Sequence, residues 1–440
     1  MPATLRHIET TPQLPASADV VVIGGGIVGV SAAYYLARRG FSVALVEKGR
    51  VGAEQSSRNW GWCRQQNRDA RELPLATASL ALWDRLAEDI GLDTGFRRCG
   101  LLYLSDDEAQ IAVWEKWHHF AIGAGVETHM LSAAEASARG AATGKRWKGG
   151  VLSPTDGAAN PELAAPILAL GVMRAGGTVH QFCAARGLER AGGDVAGVVT
   201  EAGTIRTRTV VMAGGAWASS FLNQYGVRFP QASVRASILS VAARPGLPDA
   251  LHTTGVSVTR RGQGDYTLAI SGGARVDPTP QQIRFAREFV PMFLSRRGSL
   301  ALGGRQGWAA GHETLRRWKP DRPTAMERCR ILDPMPDPKQ VEETLARARR
   351  LLPALADAPV TARWAGYIDS TPDGVPAIGP VPGLPGLVLA AGFSGHGFGI
   401  GPGAGHLVAD LISGAAPIVD PADYRPERLA GSAWGKVAGF

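Results

Sequence analysis

At 440 residues the chain can bury a large core and form two or three domains. Its 45% hydrophobic and 20% charged content is that of a globular protein, and its net charge of +8 comes from scattered arginines, which argues against nucleic-acid binding. No uninterrupted apolar run of about 18 residues occurs. The polar, proline-containing start predicts no secretory signal, and four widely spaced cysteines without a CxxC pair predict free thiols, no metal site and a cytoplasmic setting.

The apolar run Asp19 to Ile23 leads into Gly24-Gly25-Gly26-Ile27-Val28-Gly29, a helix pattern from Val30 to Arg39, a second apolar run from Phe41 to Val46, and Glu47. This order predicts the first βαβ unit of a dinucleotide-binding domain. Gly24 permits a sharp turn, Gly26 lets a pyrophosphate approach the backbone, and Gly29 lets the helix pack closely on the sheet. The amides at the helix start, including Ile27 and Val28, favour phosphate. Glu47 lies near the offset of about 20 residues at which a carboxylate meets a ribose diol.

A Gly/Ser-containing loop from Gly49 to Asn67 precedes a helix pattern through Leu73, Leu80, Leu82, Leu86 and Ile90. Gly100 to Leu104 reads as a strand, and Ser105-Asp106-Asp107-Glu108 as a helix start. Trp114, Trp117 and Phe120 share a helical face, the spacing of a core stripe more than of a ligand platform. Asp156 to Pro161 turns into a helix ending at Gly176-Gly177. Thr178 to Cys183, Val195 to Thr200 and Thr204 to Met212 are strand patterns, the last reaching Ala213-Gly214-Gly215-Ala216-Trp217. Further strands, Tyr266 to Ile270 among them, fill 230–280. Segment 281–337 is arginine-rich and mostly helical in pattern, and a helix follows at 339–352. Pro402 is read as opening a helix that runs to about Ile412 with Gly414 as its cap. His252 and His312 read as surface or loop residues.

Dinucleotide-type signals near 24, 214 and 392 predict an α/β (α+β overall) architecture. A Rossmann-like dinucleotide-binding domain, the FAD-binding domain of the resemblance given below, is expected from 1–90, 150–228 and 340–440. A substrate-binding domain on a mixed or antiparallel sheet is expected from 91–149 and 229–339, with a helical insertion near 281–337.

The N-terminal fingerprint, the run Gly214-Gly215-Ala216-Trp217, and the C-terminal Trp364-Ala365-Gly366, Thr371-Pro372-Asp373-Gly374 and Ala391 to Gly399 together resemble the D-amino-acid oxidase family of FAD-dependent amine oxidoreductases, over nearly the whole chain. The resemblance implies non-covalent FAD, since the cysteine that carries flavin in some sarcosine oxidases corresponds to Gly366. It places Gly24, Gly26 and Gly29 at the pyrophosphate, and Glu47 with Lys48 at the ribose. Ser56, Ser57, Arg58 and Asn59 fall in the loop leading to the flavin, with Trp60, Gly61 and Trp62 beyond. The backbone of Cys183 falls near the adenine; Ala213, Gly214 and Trp217 belong to the middle segment. Gly366 and Gly395, His396, Gly397, Phe398, Gly399 and Ile400 fall around the ring.

Arg64 falls where sarcosine-oxidase-like members hold the substrate carboxylate, a task suited to a planar guanidinium. Two departures follow: no arginine comes after Trp364-Ala365-Gly366, where Tyr367 stands, and Gly399 replaces a lysine. Tyr367 or Tyr266 is therefore expected to assist Arg64, with His396 a further candidate beside the ring. The implied activity is oxidation of an amino acid or N-substituted amino acid (a D-amino acid, a glycine- or sarcosine-like compound, or a cyclic secondary amine) by hydride transfer to flavin N5, the imine then hydrolysing. Oxygen or a quinone-type carrier would reoxidise the flavin. The alternative is the flavoprotein subunit of a multi-subunit amine- or opine-oxidising complex. Phe289, Val290, Met292, Phe293 and Leu294 beside Arg296 and Arg297 fit either a lid or peripheral contact with the inner face of a membrane. Oligomeric state is left open.

Overall fold

Val20–Ile23 is buried throughout and forms strand β1, which turns into helix α1, Ile27–Arg38, and returns as the parallel strand β2, Val43–Val46. Continuous apolar runs suit strands covered on both faces. In this computed structural model, which describes residues 5–262, 264–307 and 316–438, the expected βαβ unit is present. The helix begins at Ile27 rather than Val30, with Gly26 as its N-cap. Gly24 turns with φ +110°, and a Cβ on Gly29 would stand 2.0 Å from the Gly24 carbonyl oxygen. Gly29→Ala is therefore expected to force α1 off the sheet and cost about 1–3 kcal/mol in urea unfolding. Gly123→Ala, whose Cβ meets nothing within 4 Å, is expected to cost nothing.

The other elements that build the site are, in chain order, α2 (Gln55–Arg58), α3 (Leu73–Ile90), β3 (Thr178–His180), β4 (Thr209–Met212), β5 (Ala232–Val241), α4 (Ala286–Arg296), β6 (Val360–Ser370), β7 (Ala377–Pro380), β8 (Leu387–Ala391) and α5 (Gly397–Ser413). One sheet has the order β7-β8-β4-β1-β2-β3, parallel except for β7, and joins strands from three distant stretches of chain. Helices α1 and α5 cover one face and meet at Gly405, where a Cβ would lie 2.4 Å from Ser31 Cβ. The antiparallel strands Ala185–Ala191, Asp194–Thr200 and Gly203–Arg206 pack on the other face.

A ten-stranded sheet centres on the long antiparallel pair β5–β6 and continues through Asp265–Ala269, Ser257–Arg261, Ala250–Thr253, Leu101–Ser105 and Gly149–Ser153. Here the expected boundaries shift. Helix Pro338–Leu351 and β6 were assigned to the nucleotide unit, yet the helix packs in the second unit's core and β6 pairs with β5. Thr204–Met212 divides at Thr207 into strands of two different sheets. Trp114 and Trp117 are buried as a core stripe requires, whereas Phe120 is 42% exposed. Among its described residues, segment 281–337 is helical only through Arg296, apart from short turns and Ala325–Arg328, and includes the strand Leu300–Leu302. His312 lies outside the described residues. Among those described, no helix is long and apolar enough to cross a membrane.

Candidate active site

Helix α5 starts at Gly397, five residues before Pro402, which was expected to open it. Proline inside a helix removes a donor and disturbs the preceding turn. Ser79 of α3 repairs that turn: its hydroxyl donates to the Gly399 carbonyl at 2.8 Å and accepts from the Gly403 amide at 3.1 Å. Trp83 Nε1 donates to the same Gly399 oxygen at 2.9 Å. The glycine run is thereby fixed against α3, and a Cβ on Gly399 would lie 2.8 Å from the Trp62 carbonyl.

A cavity of about 860 Å³ opens at the end of β1 and β4, between Gly24, Gly26, Glu47, Ala213, Gly214 and Trp217. Glu47 accepts the amides of Gly25 and Gly49, both at 2.7 Å, and burial raises its pKa. Each carboxylate oxygen keeps a lone pair for a hydroxyl donor. Lys48 also lines this cavity, although its ammonium is held by Glu54 and the carbonyls of Cys329 and Arg330, 4.5 Å above the Trp217 ring. Ser56 Oγ accepts the Ile27 amide at the start of α1. Cys183 lines neither cavity: its amide donates to the Glu47 carbonyl and its side chain lies in the core.

A second cavity of about 1480 Å³ lies between α2, β5, β6, α4 and the start of α5, and shares Gln55 and Arg58 with the first. The two form one elongated cleft. Gln55 Oε1 at the junction is buried with no partner among the described residues, and a Cβ on Gly366 would stand 2.2 Å from it. A long ligand with a donor for Gln55 fits this cleft, and Gly366 leaves no room for a side chain that could bond to it covalently. Arg58 is neutralised by Asp333 at 2.7 Å and donates to the Ala365 carbonyl.

Asn59, Trp60, Trp62, Arg64, Gly395, His396, Phe398 and Gly399 reach the second cavity, whereas Ser57, Gly61, Gly397 and Ile400 do not line it. Arg64 Nη1 donates to the Gln66 carbonyl and to Tyr103 Oη at 3.0 Å, leaving Nε and Nη2 for a ligand. Trp60 and Trp62 meet edge to face at 5.0 Å on the same wall.

Neither expected tyrosine joins them. Tyr266 Oη donates to the Leu247 carbonyl in the core of the large sheet. Tyr367 lies on the other face of β6, where it lines the first cavity, because Gly366, Ile368 and Ser370 line the second and strand side chains alternate. Its hydroxyl reaches Asp277 at 3.4 Å, beside the buried Arg235–Asp277 pair. His252, expected at the surface, is enclosed by the rings of Trp62, Tyr103 and Trp114. That enclosure and the Arg64 charge push its pKa down to about 3.

Three residues of the second cavity's surroundings escaped the sequence reading. Arg68 is buried on its wall, Arg296 of α4 stands on the wall too, and Glu72 sits behind His396. Glu72 meets His396 Nδ1 at 3.1 Å. A carboxylate can only accept, so Nδ1 carries the proton and Nε2 is left as an acceptor. Burial, then Arg68, pulls the His396 pKa down to about 4. For Glu72 burial acts upward, but His396 and Arg68 outweigh it and the pKa is lowered.

Both shifts have the same consequence for stability. The unfolded chain takes up protons before the fold does, so these contributions are intact near neutrality and lost as pH falls. For His396 the loss runs from 6.5 to about 4 and is on the order of 3 kcal/mol. Buried Asp156, raised to about 6 by burial, works oppositely: its contribution is full below its ordinary value and lost as pH rises through 6. Because Asp156 opposes His396 over the same range, the comparison between variants is the test: His396→Gln is expected to lose less stability than wild type between pH 6.5 and 4, read as the change in urea midpoint.

The family model described as FAD dependent oxidoreductase (DAO) matches residues 19–411. Glycine oxidase of Pseudomonas aeruginosa is 29% identical over 427 residues, covering 93% of this chain and 99% of that protein. Human mitochondrial sarcosine dehydrogenase is 27% identical over 94% of this chain, which spans 42% of that longer protein. The solved structure of L-amino acid deaminase from Proteus myxofaciens in complex with anthranilate superimposes with a TM-score of 0.91 at 29% identity, covering 97% of this chain and 96% of that one.

Proposed function

The chain belongs to the DAO family of FAD-dependent oxidoreductases, and from that premise we propose that it oxidises an amino acid or N-substituted amino acid at the carbon bearing nitrogen. The observation that carries this reading is Arg64, with two guanidinium nitrogens open, on the wall of a cavity continuous with the glycine-lined cleft. Relatives named for glycine, sarcosine and L-amino acids support the same substrate class.

Gly24, Gly26 and Glu47 would hold the adenosine end of FAD, and Gly366, Gly395, Phe398 and Gly399 would border the ring. When bound, FAD supplies the acceptor for the two electrons that leave the substrate as its C–N bond becomes an imine. Arg64 pairs with the carboxylate and fixes the orientation of the carbon chain. Trp60 and Trp62 keep water from that side. His396 is too weak a base at about 4 to deprotonate an ammonium near neutral pH, so it serves as a neutral hydrogen-bond acceptor held by Glu72. The amine proton goes to solvent, and the imine hydrolyses after release. Oxygen or a quinone-type carrier would be the final acceptor of the electrons.

Anaerobic mixing of the holoenzyme with D-, L- and N-methyl amino acids is the test. At least one is expected to bleach the 450 nm flavin band, taken as roughly the usual position for oxidised flavin. A flavin that none of them bleaches would overturn the reading. One observation favours a second reading, as a subunit of a larger complex or a chain resting on a membrane: Val290, Phe293 and Leu294 leave an apolar outer face on α4. Dye reduction by the isolated chain with any amine would remove the subunit version, and failure to float with anionic vesicles would remove the membrane version.

A further inference from the structure

The second cavity carries more positive charge than one carboxylate can balance. Arg64 and Arg68 line it in addition to Arg58, which Asp333 already neutralises, and Arg296 stands on its wall with a partner of its own. Among the described residues no aspartate or glutamate lines this cavity. The acids nearest Arg68 are otherwise engaged, Glu72 with His396 and Asp156 with the amides of Gln65 and Gln66 at 2.7 and 3.1 Å. Arg68 is only 3% exposed; its Nε reaches the Arg64 carbonyl at 3.4 Å, and its Nη1 is buried with no partner among the described residues. A buried guanidinium nitrogen without an acceptor is costly, and a ligand oxygen there would relieve it. Burial, and then Arg64, pulls the Arg68 pKa down to about 10, so the group is still charged at neutral pH and repelled by its neighbour. The opposite wall, formed by Val234, Ala236, Ile238 and Ala269, suits a carbon chain.

We propose that the substrate carries a second carboxylate, as an acidic amino acid or an N-(carboxyalkyl) amino acid does, and that Arg68, with Arg296 also on the cavity wall, receives it while Arg64 holds the carboxylate next to the reacting carbon. Arg68 is then a specificity-determining residue. This deepens the amine-oxidation reading and rests on it for the identity of the reacting group, but the two can fail separately.

The test is a titration of the holoenzyme's flavin absorbance with glutarate and with valerate, five-carbon acids that differ by one carboxylate and need no turnover. Glutarate is expected to bind on the order of 10- to 100-fold more tightly than valerate. Arg68→Met should abolish that advantage and leave the valerate Kd within about threefold. Equal binding of the two acids by the wild type overturns the proposal, as does an equal loss for both acids in Arg68→Met. Should Arg68→Met not fold, Arg68→Lys and Arg296→Gln are compared instead: each is expected to narrow the ratio, and an unchanged ratio in both overturns the proposal. A glutarate advantage in an enzyme whose flavin no amine bleaches would retain the dianion site and remove the amine oxidation.

Discussion

Arg64→Ala is expected to lower kcat/KM for a carboxylated amine by on the order of 10²- to 10³-fold, from losing a bidentate charge-assisted contact. Most of the loss should appear in KM, because the carboxylate is bound alike before and during reaction. An amine without a carboxylate should lose little. Arg64→Lys should recover only part, since an ammonium cannot reproduce the planar fork. Arg64 also holds the Gln66 carbonyl and Tyr103, so a loosened loop could mimic the effect. Tyr103→Phe separates the two, removing only the hydroxyl, and should leave KM nearly unchanged. An unaltered KM in Arg64→Ala would remove the assigned role.

Asp277→Ala should be the most destabilising single change away from the cleft, at about 3–5 kcal/mol, because it strands a buried guanidinium. Arg235 and Asp277 pair through two hydrogen bonds, at 2.9 and 3.1 Å, with side chains 4% and 1% exposed. Asp277 also accepts the Gly304 amide at 2.9 Å, and Arg235 donates to the Met335 carbonyl. The pair therefore ties β5 to two loops at once. The urea midpoint should drop with little change in slope. Replacing both partners by apolar residues of similar volume, as in Arg235→Met with Asp277→Leu, should restore much of the loss. A single mutant as stable as wild type would mean that water reaches Arg235.

The nucleotide half of the cleft was readable in the sequence because its determinants are local. Strand, glycine turn, helix and acid follow one another, and Gly29 answers to a contact within the same unit, against Gly24, although Gly24 and Gly26 face Ala213 and Ser56 from outside it. The Gly395–Gly399 run was readable for the same reason. The substrate half was not, because it is assembled from distant pieces. Arg68 and Glu72 lie in a loop without periodicity, and only the fold sets Glu72 against His396, 324 positions away. Arg296 is one arginine among many until α4 is placed over the cavity. Tyr367 is a different kind of miss: once Gly366 is assigned to the cleft, strand alternation alone sends Tyr367 to the other face. Pro402 misled because a proline usually marks a helix start, and the hydroxyl that lets it sit one turn inside belongs to Ser79 on another helix.

The Ser79 and Trp83 bonds to the Gly399 carbonyl also divide the cavity's walls mechanically. On one side the glycine run is bonded to α3, and the loop that carries Arg64 and Arg68 is bonded to the same helix through Gln65 and Thr77, so ring and guanidinium share one support. On the other side α4 buries Pro291 and Met292 and is tied by the Arg228–Glu288 ion pair. Entry and exit of a bulky molecule thus fall to α4, so changes in its packing should alter turnover through the release step while leaving the grip on the substrate intact.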